Sequence, residues 1–315
     1  MQFSRKSLIG CGPARFVSLV TGIPGQSSQS FRARFAARRK KKRSVLCVGL
    51  DPDPEKIPAG YESASVSPDS PALDGEAQRI LAFLADIIAA TADRAVAYKP
   101  NLAFFECLGA PGMLLFEQVL RLIREKAPGA LIVADAKRGD IGNTAERYAR
   151  AFFGSYDCDA ITLSPYMGMD TLDPFVSYGD RAVIALCHTS NSGAAEFQNV
   201  GEPPLYLRVA AAVQKKNLET GNLWLVVGAT RDPSSIERIR ATAPDVPFLI
   251  PGVGAQGGDL EGALRAAGPD VLINAGRALL YAANGRDAVA SAAAEEADRM
   301  LSVMRQVFDF DRLPD

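Results

Sequence analysis

The 315-residue chain predicts an α/β protein: a single (β/α)8 TIM barrel with a short N-terminal helix. Eight short apolar runs alternate with eight segments of helical spacing, charged residues collect at the C-terminal ends of the runs, and a glycine-rich loop and an arginine follow runs seven and eight. A doubly wound open sheet is the runner-up. It would normally show G-x-G-x-x-G after its first strand, where this chain has Gly49-Leu50-Asp51-Pro52-Asp53.

Residues 1–29 are rich in Ser, Gly and basic residues, lack apolar periodicity, and read as a disordered or misassigned N-terminal extension to a barrel domain spanning 30–315. From Ser30 the pattern changes. Phe31, Phe35 and the basic run 38–43 suggest a short amphipathic helix entering the first strand. Residues 1–43 hold 11 Lys or Arg and no Asp or Glu, which leaves 24 basic against 36 acidic residues in 44–315, a body charge of −12. A basic run can bind nucleic acid, but this one lacks interleaved aromatics and precedes an acidic body, so a solvated helix face is the expectation.

The expected strands are 45–50, 95–98, 130–134, 160–163, 182–187, 223–227, 247–250 and 271–273. Helical spacing covers 75–91, 112–126, 142–153, 169–178, 205–218, 234–241, 259–267 and 287–307. Apolar residues make up 48% of the chain, yet no apolar run approaches the roughly 20 residues a bilayer requires. No membrane role is expected. Cys11, Cys47, Cys107, Cys158 and Cys187 are odd in number and widely spaced, which suits a reducing, cytoplasmic setting better than disulfides or a zinc site. The lone His188 has no nearby nucleophile except Ser190 and Ser192, and reads as a loop residue near the mouth. Trp224, inside an apolar strand, reads as packing.

A barrel places its functional groups at the C-terminal ends of its strands. Strand one ends at Asp51, two at Lys99, three at Asp135 and Lys137, and four at Ser164. Any one of these could be a turn former or a strand-end ion pair in water. Their convergence on one face argues for a site. In strand three, alternation puts Asp135 and Lys137 on the same face and assigns Arg138 to the other face or the loop.

After strand seven, Pro251-Gly252-Val253-Gly254-Ala255-Gln256-Gly257-Gly258 leads into a helix, so bare backbone N–H groups can surround an anion. After strand eight, Gly276-Arg277 offers a guanidinium that can grip phosphate oxygens in pairs. A phosphomonoester substrate is the expectation.

These segments carry a family resemblance. The run from Asp135-Ala136-Lys137-Arg138-Gly139-Asp140-Ile141 to Thr144, with Gly49-Leu50-Asp51-Pro52, Tyr98-Lys99-Pro100-Asn101 and the loop after strand seven, resembles the orotidine 5′-phosphate decarboxylases, specifically their type 2 bacterial branch. The resemblance covers about residue 31 to the C-terminus. It implies conversion of orotidine 5′-monophosphate to UMP and CO2, the last step of de novo pyrimidine synthesis, with neither metal nor organic cofactor. Residue by residue, it implies Lys137 as proton donor, Asp135 beside the substrate carboxylate, and Lys99 with Asp51 on the ribose hydroxyls. It further implies a homodimer in which Asp140, Ile141 and Thr144 complete the neighbour's site. Ser164 would contact the pyrimidine. Pro251, Gly252, Gly254, Gln256, Gly276 and Arg277 would surround the phosphate.

Two alternatives remain at this point. A magnesium-dependent barrel enzyme acting on a sugar phosphate would be expected to place an acidic ligand where Lys99 stands. A non-enzymatic barrel would use its basic N-terminal segment to bind nucleic acid or anionic lipid. Lid candidates are the loop 190–204 and the loop around Gln256.

Overall fold

The structure is a computed structural model that describes residues 29–61, 73, 75–229, 233–253 and 259–314. The expected extension therefore lies outside the described residues apart from Gln29. Eight parallel strands close into one barrel, each paired with its sequence neighbours and the last with the first. They are β1 (Leu46–Leu50), β2 (Ala97–Pro100), β3 (Leu131–Arg138), β4 (Ala160–Leu163), β5 (Ala182–His188), β6 (Leu223–Val227), β7 (Phe248–Pro251) and β8 (Val271–Ala275). Alternation sorts each strand in two. Val48, Ile132, Ile161, Val183, Leu225 and Ile273 face outward onto the helices. Cys47, Ala97, Val133, Ala160, Ile184 and Leu272 fill the interior, with Trp224.

The long helices fall close to their expected places, at Gly75–Thr91, Gly109–Lys126, Leu205–Thr220, Ser234–Thr242, Leu260–Ala267 and Arg286–Val307. The second starts three residues early because Pro111 sits in its first turn, where a missing N–H costs nothing. The segment expected as one helix over 142–153 is Gly142–Ala149 followed by a wider, π-type turn, Arg150–Ser155. The segment 169–178 divides into two short turns, Met169–Leu172 and Asp173–Val176. A further helical turn, Arg277–Leu280, follows β8 where only a loop was expected.

The N-terminal helix α1 (Phe31–Lys42) is capped by Ser30, whose hydroxyl accepts from the Ala33 N–H at 3.2 Å. Phe31 and Phe35, one turn apart, meet the Trp224 ring edge-on at 5.3 and 5.1 Å and close the bottom of the barrel. The expectation of a solvated basic face holds for Lys40, Lys41 and Arg43, which are exposed, and fails for Arg38 and Arg39. Arg38 and Arg39 are buried; Arg34 pairs with Asp159, and Arg32 and Arg39 pair with Asp270. Arg38 donates to the Ala95 and Pro128 carbonyls, and Lys42 and Arg43 reach Asp93 and Asp311. Asp159 and Asp270 stand directly before β4 and β8, so the basic helix is fastened across the strand entrances.

Candidate active site

The site is the top interior layer of the barrel. In β2 the inward alternation continues from Ala97 to Lys99, in β3 from Val133 to Asp135, in β4 from Ala160 to Thr162, and in β8 from Leu272 to Asn274. Lys99 and Asp135 are only 3% and 9% exposed, so their charges face each other and not water. Lys99 Nζ lies 2.5 Å from Asp135 Oδ2, and Lys137 Nζ lies 2.6 Å from Oδ1. Burial opposes the Asp135 carboxylate, yet the two lysines hold it well below the usual range. Burial likewise opposes the Lys99 ammonium, but Asp135 and Asp51 hold it above the ordinary lysine value. Both groups stay ionised.

Asp135 and Lys137 do share the mouth, though not along a regular strand. The β3–β4 register shifts between Ala134 and Arg138, and Lys137 has φ 47°, a left-handed conformation unusual for a side-chain-bearing residue. β3 runs on to Arg138, four residues past the expected end. Thr162 stabilises the irregularity. Its hydroxyl accepts from the Lys137 N–H at 3.0 Å and donates to Asp135 Oδ1 at 2.9 Å.

Above this array is a cleft of two lobes, about 140 and 240 Å³, that share Lys99, Asp135 and Pro251. The smaller lobe adds Asp51, Gly252, Asn274, Gly276 and Arg277. Buried oxygens of Asp51 and Asn274, both Oδ1, have no protein partner, so this lobe offers acceptors to a ligand's hydroxyl groups. The larger lobe adds Lys137, Thr162, Thr189, Ser190 and Asn191 on one side and apolar Leu186, Val226 and Leu249 on the other. A half-polar, half-apolar chamber of this kind suits a flat heterocycle with polar edges.

The β1–β8 seam is unusually close. A Cβ on Gly49 would stand 3.1 Å from the Gly276 Cα and 3.2 Å from the Asn274 amide, so any side chain there would have to push a neighbour back by a few tenths of an ångström. That approach brings the Arg277 turn beside Asp51.

Other expected residues are placed elsewhere. Ser164 does not line either lobe: it borders a neighbouring, mainly apolar cavity of about 450 Å³ with Tyr166, Cys187 and Phe197, and its N–H donates to the Arg138 carbonyl at 2.8 Å. Asp140, Ile141 and Thr144 line neither lobe; Ile141 is 57% exposed and Asp140 accepts from the Ile141 N–H. Gly254 and Gln256 lie outside the described residues. The loop after β5 is partly ordered by two short turns, Ser192–Ala194 and Ala195–Gln198. His188 ends β5 with its ring 4.5 Å from that of Tyr206, and burial keeps its pKa below the usual value. Among the described residues, no three His, Cys, Asp or Glu side chains gather to hold a metal ion. Nor is any helix long and apolar enough to cross a membrane. No role was assigned from the sequence to Thr162, Asn274, Thr189 or Asn191, although Asn274 stood at the end of the eighth apolar run. Counting two residues on from Ala160 and Leu272 would have found the first two.

Residues 44–292 match the model of the orotidine 5′-phosphate decarboxylase / HUMPS family. The orotidine 5′-phosphate decarboxylase of Cupriavidus necator is 44% identical over 269 residues, covering 84% of this chain and 93% of that protein. The Verminephrobacter eiseniae protein of the same name is 41% identical over 285 residues, covering 88% and 98%. Among solved structures, Leishmania donovani OMP decarboxylase superposes with TM-score 0.71 at 38% identity, covering 88% of this chain and 99% of that one. With the family model spanning most of the barrel, this chain belongs to the orotidine 5′-phosphate decarboxylase / HUMPS family.

Proposed function

We infer that this protein decarboxylates orotidine 5′-monophosphate to UMP and CO2, the closing step of UMP biosynthesis. The observation that carries this is the Lys99–Asp135–Lys137 array: one buried carboxylate between two ammonium groups, open to a cleft with a guanidinium at its far end. Losing CO2 from pyrimidine C6 leaves the bonding pair on that carbon. A fixed cation is needed where the negative charge develops, and a proton is needed to quench it. Lys137 supplies both, because its side chain is half exposed at the mouth while its other contact is Asp135. Its ammonium transfers one proton to C6 and is restored from solvent.

Asp135 would face the departing carboxylate, and Asp51, with its partnerless oxygen, would take the ribose hydroxyls beside Lys99. Arg277, Gly276, Pro251 and Gly252 form the described part of the phosphate end; Gly254 and Gln256 keep the role that the resemblance implies. The pyrimidine fits the larger lobe, which Ser190 and Asn191 line together with the array, while Ser164 borders the adjoining cavity. Lys99 occupies the approach by which a metal ion would reach Asp135, which supports a metal-independent reaction.

The working form is a homodimer. Ile141, Tyr166, Met167, Phe197 and Val200 are exposed apolar side chains on the loops after β3, β4 and β5, a sector that a second copy would cover. Asp140, Ile141 and Thr144 then reach the neighbouring site. The described cysteines, Cys47, Cys107, Cys158 and Cys187, are free thiols, in keeping with a cytoplasmic setting.

The test is an absorbance assay of purified protein with orotidine 5′-monophosphate, with and without excess EDTA. Equal turnover in both is the expected result. Absence of turnover, or turnover abolished by the chelator, overturns the reading.

A further inference from the structure

We propose that Tyr281 is a positioning residue that ties the arginine turn after β8 to the aspartate loop after β1, so that occupancy at Arg277 sets the placement of Asp51.

The tie is visible at both ends. Tyr281 closes the turn Arg277–Leu280, and its N–H donates to the Arg277 carbonyl at 3.1 Å. Its hydroxyl donates to the Asp51 carbonyl at 2.9 Å and accepts from the Asp53 N–H at 2.7 Å. Pro52, between them, has no N–H, so this one hydroxyl engages the loop on both sides of it. The ring is itself held, stacked on buried Phe83 with centroids 6.0 Å apart and planes 12° from parallel. Burial pushes the phenol up to about 12, which keeps the donor proton in place across the working range. The two loops also lie side by side: a Cβ added to Gly276 would be 3.5 Å from Asp51 Oδ2.

Asp51 and Arg277 line the same lobe, together with Lys99 and Asp135. Tyr281 is not among its lining residues and acts through the two loops. Binding energy gathered on a distant group assists a reaction only if the protein transmits it to the reacting end. The Tyr281 hydroxyl is a rigid route for that transmission, two hydrogen bonds long. The inference rests on reading Arg277 and Asp51 as substrate contacts.

The experiment is a double-mutant cycle on kcat/KM for orotidine 5′-monophosphate, using Tyr281→Phe, Arg277→Ala and the double variant. Phenylalanine keeps the stacked ring and removes only the hydroxyl. Tyr281→Phe is expected to lower kcat/KM about tenfold in the wild-type background, with much of the loss in kcat, and about twofold or less beside Arg277→Ala. Equal losses in both backgrounds, or no loss in either, overturn the proposal. Wild-type turnover is measured first, so an inactive wild type counts against the decarboxylase reading and an additive cycle counts against Tyr281 alone. Should Tyr281→Phe fail to fold, amide exchange of the wild-type protein gives the answer. Titrating UMP should slow exchange at Asp53 in parallel with the Arg277 turn, and protection of the turn with Asp53 unchanged overturns the proposal.

Discussion

Lys99 Nζ and Asp135 Oδ2 are 2.5 Å apart and both side chains are buried, so each ionises because the other does. Taking one member from such a pair leaves a charge stranded in a poorly solvated site, at a cost of about 3–5 kcal/mol. Lys137 remains beside Asp135, which places Lys99→Met near the lower end, about 3 kcal/mol by urea unfolding.

The same pair gives the stability curve its shape. Asp135 has a depressed pKa, so its contribution is present above the unfolded aspartate value of about 3.9 and is lost as pH falls below it. Lys99 has a raised pKa, so its contribution is present below about 10.4 and is lost as pH rises beyond it. The stability gap between wild type and Lys99→Met should be flat from about pH 5 to 9 and narrow at both extremes. A gap that stays constant down to pH 3 would contradict this.

Lys137 separates chemistry from backbone strain. Lys137→Ala should reduce kcat by about 10³-fold or more, since it removes both the fixed cation and the proton source. Lys137→Gly should be as inactive, yet about 0.5–1 kcal/mol more stable than Lys137→Ala, because glycine adopts φ 47° without strain. Circular dichroism melts of the two variants decide it; an alanine variant as stable as the glycine one would show that the bend carries no strain.

Gly49→Ala should injure the phosphate end without touching a charged group. Its methyl would press on the Gly276 backbone, which cannot move as a flexible side chain could. Overpacking of this kind costs about 1–3 kcal/mol, and displacement of the Arg277 turn should appear chiefly as a raised KM. Steady-state kinetics with an unchanged KM would mean that the seam yields elsewhere.

Mixed variants test the shared site. Inactive Lys137→Ala and Asp140→Ala proteins, combined and allowed to exchange subunits, should recover up to about a quarter of wild-type activity, because some hybrid dimers contain one intact site. Verified subunit exchange with no recovery would confine Asp140 to its own chain.

Much of the barrel was legible because buried parallel strands are uninterrupted apolar runs that end in charge. The residues that β1, β2, β3, β7 and β8 bring to the cleft were legible for the same reason: Asp51, Lys99, Asp135 and Pro251 each follow their run directly, and Arg277 follows within four residues. What escaped notice depends on distance in sequence. The basic helix looked solvated because its partners Asp159 and Asp270 lie more than a hundred residues away. β3 was cut short because Asp135-Ala136-Lys137-Arg138 resembles a loop until Thr162 and Ser164 are seen to hold it. Ser164 ends β4 as expected, but strand-end position does not reveal which of two adjoining cavities a residue borders.

Among the described residues, Phe31 and Phe35 against Trp224 plug the floor of this barrel. With that floor packed, carbon dioxide freed beside Asp135 in the proposed reaction would leave through the opening by which the nucleotide came in. Until it leaves, the gas would stand next to the carbon it has just left, and recombination would compete with quenching. Commitment to product would then be a race, and in the proposed mechanism Lys137, 2.6 Å from Asp135, would start closest to the finish.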